Sequence, residues 1–79
     1  MTNRQWVVVY DRRRQSAGKI TALLDPKTGD WIFDSYKKAR ELSKERQPEF
    51  DVQLSVIRTS IWYRITGPMT QVSRLVETR

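Results

Sequence analysis

Trp6-Val7-Val8-Val9-Tyr10 is the stretch that most restricts the fold of this chain. β-branched and aromatic side chains follow one another without a polar interruption. Successive strand residues point to opposite faces, so both faces of this strand are apolar and it belongs at the centre of a sheet. It is also the longest apolar run, far short of the ~20 residues a membrane helix needs. The 79 residues hold one domain. A chain this short buries roughly 60% of its extended surface, so a homodimer is a ready way to bury more.

The other elements follow from local chemistry. Asp25-Pro26-Lys27-Thr28-Gly29-Asp30 is a turn sequence, because proline presets φ and Gly29 can take positive φ. Flanked by Ile20–Leu24 and Trp31-Ile32-Phe33, it reads as a hairpin tip. The alternative is a helix from Arg12 to Leu24, with Ala17, Ile20, Leu23 and Leu24 at helical spacing. Asp34 or Ser35 can cap a helix from about Ser35 to Arg46, which Pro48 ends. Its apolar stripe is thin, Tyr36, Ala39 and Leu42, and Lys37 and Glu41 are spaced as an i,i+4 ion pair. Phe50, Val52, Leu54 and Val56 alternate with polar residues up to Arg58, as a half-buried strand does. After Thr59-Ser60, Ile61, Tyr63 and Ile65 alternate with Trp62, Arg64 and Thr66 and read as another strand, closed by Gly67-Pro68.

The expected architecture is therefore α+β: a small single-domain antiparallel sheet of four to five strands with one helix packed on one face, in the order β-β-β-α-β-β. The helical alternative near Arg12–Leu24 would make it ferredoxin-like. Residues 1–68 form the compact domain, and residues 69–79 form a short docking helix or a frayed tail.

Charge carries the functional argument. Fifteen Lys and Arg face nine Asp and Glu, for a net charge of +6, and ten of the cations are arginine. Arginine's planar fork suits phosphate and carboxylate. Arg12-Arg13-Arg14 leave the first strand and enter a loop ending in Lys19; packed cations persist most easily where an anionic partner offsets them. With Arg58 and Arg64 they would make a phosphate-binding patch, and Trp62, on the exposed face of the last strand, would stack on a base or sugar.

Other chemistry is restricted by what the chain lacks. It has no cysteine and no histidine, which excludes disulfides, Cys/His zinc sites and histidine acid–base devices. Its serines have no histidine base and no nucleophile elbow. Asp11, Asp25, Asp30, Asp34 and Asp51 form no spaced cluster of oxygen ligands, so neither a metal nor another cofactor is expected. The residues before Trp6 lack the apolar stretch of a signal peptide, and cytoplasm is the default compartment.

Three short segments are similar to known families. Val7-Val8-Val9-Tyr10-Asp11 with Val52-Gln53-Leu54-Ser55-Val56 resembles two strands of the small CRISPR-associated adaptation proteins, ferredoxin-like dimers; the resemblance implies a metal-binding role for Asp11 in a Mg²⁺-dependent nuclease. Gly29 through Leu42 resembles integrase arm-type DNA-binding domains, in which three strands read DNA and a helix backs them. Tyr63-Arg64-Ile65-Thr66-Gly67-Pro68 is similar to a segment of sporulation-related peptidoglycan-binding repeats. These imply three different roles, so the chain is assigned to no family on them.

The residues together point to a non-enzymatic nucleic-acid-binding module, with Arg12, Arg13, Arg14, Lys19, Arg58, Trp62 and Arg64 as its contacts. The alternative is a small protein-interaction module, an inhibitor or regulatory adaptor, that uses the same Arg and Trp surface. No membrane partner is expected.

Overall fold

A computed structural model describes residues 4–14, 18–67 and 76–77. Strand β1 is Trp6–Asp11, β2 is Ile20–Ala22, helix α1 is Tyr36–Arg46, β3 is Ser55–Arg58 and helix α2 is Thr59–Thr66. A single 3₁₀ turn, Gln47–Glu49, follows α1. Among the described residues the sheet has three antiparallel strands in the order β2-β1-β3. As its sequence requires, β1 is central, and Val7, Val8 and Val9 are almost wholly buried.

Each face of β1 has its own core. Val8 packs with Leu23, Phe33, Ala39, Leu42 and Leu54 beneath α1. Val7 and Val9 pack with Ile20, Ala22 and Trp62 beneath α2. Among the described residues the molecule is thus a helix–sheet–helix sandwich, with a second helix where the last strand was expected.

The second helix corrects the expected last strand. In a strand, Trp62, Arg64 and Thr66 would share a face; here Trp62 and Thr66 are buried and Arg64 is exposed. Trp62 and Thr66 lie one helical turn apart, and the Thr66 hydroxyl donates to the Trp62 carbonyl at 2.9 Å. Gly67 ends the helix at φ 77, a left-handed backbone that suits glycine, and its N–H reaches the Tyr63 carbonyl. A glycine followed by a proline stops a helix as readily as a strand.

The expected hairpin is corrected too. The turn itself forms: Lys27 N–H donates to the Asp25 carboxylate at 2.9 Å, Gly29 N–H to the Asp25 carbonyl at 2.7 Å, and Gly29 has φ 77. Its two arms, however, do not pair as strands with each other. Ile20–Ala22 pairs with Val9–Asp11, and Phe33 exchanges both backbone hydrogen bonds with Trp6, at 2.7 and 2.9 Å. An uninterrupted strand would bring Asp25 opposite Trp6. The turn is a looped-out insertion, after which Phe33 resumes the same edge of β1. The helical alternative for Arg12–Leu24 fails because Ile20–Ala22 is strand.

Helix α1 keeps its expected bounds. Ser35 is the cap, its hydroxyl accepting from Lys38 N–H at 3.4 Å, and Lys44 and Arg46 sit in the last turn where the helix dipole favours cations. Among the described residues Lys37 and Glu41 make no ion pair. The strand expected from Phe50 begins only at Ser55. The Gln47 side chain donates to the Val52 carbonyl and accepts from Leu54 N–H, both at 2.8 Å, occupying backbone groups a strand would need.

Arg46 ties the far ends together. It donates to both Glu77 oxygens, to both Glu49 oxygens and to the Leu24 carbonyl, and its guanidinium lies 5.4 Å above the Phe50 ring. Glu77 also accepts from Leu24 N–H, and its own N–H reaches Ala22 beside the Val76–Ala22 bridge. Two residues of the C-terminal segment therefore dock along β2; the rest of that segment lies outside the described residues. Burial alone would raise the Glu77 pKa, but the Arg46 and Leu24 hydrogen bonds outweigh it and leave the pKa lowered. Arg46 is raised by the hydrogen bonds to Glu77 and then Glu49.

Two measurements check this account. Trp62→Ala removes the largest fully buried side chain and should cost about 3–5 kcal/mol in denaturant unfolding. Glu77 has a lowered folded pKa, so its contribution is present above the ordinary value of 4.5 and is lost as pH falls through the folded value. Glu77→Gln should destabilise by about 2 kcal/mol at pH 7, and the gap to the parent should close as unfolding is followed into acid.

Candidate nucleic-acid interface

A pair of aromatic rings flanked by two arginines lies at each end of β1 on its α1 side. At the Asp11 end the row runs Arg12, Tyr10, Phe50, Arg46. Arg12 lies 5.5 Å over the Tyr10 ring, the Tyr10 and Phe50 centroids are 4.6 Å apart, and Arg46 covers Phe50. At the Trp6 end it runs Arg58, Trp6, Tyr36, Arg40. Arg58 lies 5.5 Å over Trp6, Trp6 meets Tyr36 edge-on at 4.9 Å, and Arg40 donates to the Tyr36 hydroxyl at 3.4 Å. Such contacts are worth roughly 0.5–1 kcal/mol each at exposed sites and hold long side chains in place.

Acids separate the two rows. At the Asp11 end, Asp51 accepts the Tyr10 hydroxyl at 2.6 Å and lies 4.0 Å from Arg12, while Glu49 and Glu77 hold Arg46. The Tyr10–Asp51 hydrogen bond raises the tyrosine pKa and lowers the aspartate's. Hydrogen bonding to Arg46 lowers Glu49 as well. At the Trp6 end, no ion pair among the described residues engages Arg40 or Arg58.

A groove continues from the second row. Tyr36, Arg40 and Lys44, one helical turn apart on α1, line one side with Ser43 and Gln47; Leu54 and Val56 of the β3 side supply an apolar floor beside Gln53. Its volume is about 380 Å³, and among the described residues no carboxylate lines it. Tyr36 is 44% exposed, the largest exposure among the bulky apolar side chains described. Five acids lie on the other flank of α1, where Asp25, Asp30, Asp34, Glu41 and Glu45 line a second hollow together with Lys27 and Lys38. No three acids there or elsewhere among the described residues are grouped to hold a metal ion.

The expected contacts do not form one patch. Arg13 is chelated by Asp11, with Nε–Oδ1 at 2.9 Å and Nη2–Oδ2 at 2.7 Å, and its backbone N–H adds a bond at 3.0 Å. The Arg13 hydrogen bond, against a smaller cost of burial, holds Asp11 at about 2 and raises Arg13 in turn. The acid that the adaptation-protein resemblance assigned to a metal is therefore committed to an arginine. Arg14 and Lys19 are exposed in the same loop. Arg58 is opposite Trp6, at the other end of β1 and about 17 Å away by strand rise. Arg64 is exposed on α2, beyond the opposite face of the sheet.

Trp62 is 0% exposed and has no ring to offer. It packs edge-on against Trp31 at 6.1 Å, and its indole N–H finds no partner among the described residues. With α1 and α2 covering both faces, an open basic and aromatic sheet face of the integrase type is also corrected. Residue-level reading missed Tyr36, Arg40, Lys44 and Trp6. The first three repeat every fourth residue and were legible as a basic–aromatic stripe; Trp6 needed the pairing that sets it beside Arg58 and Tyr36.

Comparison with known proteins finds no matching family model, no similar curated protein and no similar solved structure.

The Asp11 chelate has a direct test. Arg13→Gln should bring the Asp11 carboxyl from about 2 back toward its ordinary 3.8 in an NMR pH titration; an unmoved value would mean that Arg13 does not set it.

Proposed function

We propose that this protein is a non-enzymatic nucleic-acid-binding module whose principal grip is the groove between α1 and β3. The observation that carries the reading is a groove lined by Arg40 and Lys44 and, among the described residues, by no carboxylate. Arg58, held over Trp6, extends it. Phosphate oxygens are the abundant anions that match a guanidinium fork and an ammonium one helical turn apart, and counterion release supplies the affinity. Arg14 and Lys19 offer a second, weaker contact at the far end of β1. Arg12 and Arg13, which face Asp51 and Asp11, contribute less than their number suggests.

A protein partner is the second reading. The observation favouring it is the outer edge of β3, which pairs with no strand among the described residues. An extended acidic peptide could add there and set its carboxylates against Arg40 and Arg58.

Binding of labelled oligonucleotides across a salt series separates these readings. Three phosphate contacts predict a slope of log K against log salt of about −2 to −3. The double variant Arg40→Ala, Lys44→Ala should flatten that slope by about 1.5, whereas Arg13→Ala should leave it nearly unchanged. Loss of binding through the Arg12–Arg14 loop alone would return the grip to that loop. Absence of oligonucleotide binding at low salt, with acidic peptides retained, would favour the protein partner.

A further inference from the structure

We infer that the groove takes single-stranded nucleic acid in preference to duplex, seating a base against Tyr36; this rests on the nucleic-acid reading above. A duplex keeps its base faces stacked inside and presents phosphates on a broad convex surface. A protein reads it by inserting a helix or a two-stranded ribbon into a major groove about 12 Å wide. Here the arrangement is reversed. The cations Arg40 and Lys44 stand along a concavity of about 380 Å³ whose floor is Leu54 and Val56. That volume lies at the small end of ligand pockets and suits a flat group, not a cylinder.

A single strand supplies what the concavity fits. Its bases can turn outward, offering an apolar face to the floor and to an aromatic ring, while the phosphates stay outside within reach of the cations. Of the two rings in the Trp6-end row, Tyr36 is the one with a face to give. Trp6 is half-buried, with Tyr36 against it and Arg58 above it. Tyr36 is 44% exposed, lines the groove and is held by the Arg40 donation to its hydroxyl. Because Arg58 is already set over the Trp6 ring and Arg40 is bonded to the Tyr36 hydroxyl, binding orders few further side chains.

The test compares one labelled 12-nucleotide sequence as single-stranded DNA, single-stranded RNA, duplex and abasic single strand at low salt, with thermal unfolding followed for each variant. The single strands should bind at least 10-fold more tightly than the duplex. Tyr36→Ala should weaken them roughly 5- to 100-fold, the range of one base–aromatic stack, with the salt slope unchanged. Tyr36→Phe should keep most of the affinity, and the abasic strand should bind the parent as weakly as the natural strand binds Tyr36→Ala. Equal binding of duplex and single strand, untouched by Tyr36→Ala, would overturn base seating while leaving the phosphate grip standing. No binding of any oligonucleotide would overturn both.

Discussion

Burial of β1 on both sides is the constraint from which the rest of the structure follows. Val8 needs a cover on one face of the sheet, and Val7 and Val9 need one on the other. In a chain of 79 residues the cover must come from short pieces. Helix α1 supplies one with only Ala39 and Leu42 buried, supplemented by Leu23, Phe33 and Leu54 from flanking segments. Helix α2 supplies the other, mainly through Trp62, whose large ring substitutes for several smaller side chains. Burying that indole leaves its N–H without a partner among the described residues, a cost of the kind usually avoided in cores. Hydrophobic cover outweighs it here.

The same economy shapes the charge distribution. A thin core leaves both ends of β1 to be closed by aromatic rings capped with arginines. At the Asp11 end the arginines serve structure: Arg46 joins α1, β2 and the Val76–Glu77 segment, and Asp51 joins Tyr10 and Arg12. At the Trp6 end the equivalent arginines make no ion pair among the described residues. Two rows of nearly the same composition thus differ in neutralisation, and that difference, rather than the number of arginines, marks the Trp6 end as the candidate site. Of the three adjacent arginines, Arg13 is engaged by Asp11, which immediately precedes them.

Legibility in the sequence varied with the range of the deciding interaction. The Ser35 cap, the stop near Pro48, the Asp25–Gly29 turn and the apolar run of β1 each depend on residues a few positions apart. Each formed in the expected place. The groove was half legible. Tyr36, Arg40 and Lys44 declare themselves by spacing along α1, but nothing near Val56 or Arg58 announces that β3 will form the other side.

By itself, then, the sequence determined a central strand, one capped helix, one tight turn and an excess of arginine, since neighbouring residues suffice to specify these. Tertiary structure alone decided that residues 59–66 are helix, because Ile61–Thr66 satisfies the periods of strand and helix alike and only the bare Val7–Val9 face selects between them. It also decided which of the described arginines meet an acid. Arg46 meets Glu77 and Arg58 meets Trp6 across long stretches of chain, and such pairings exist only once the sheet has set its register.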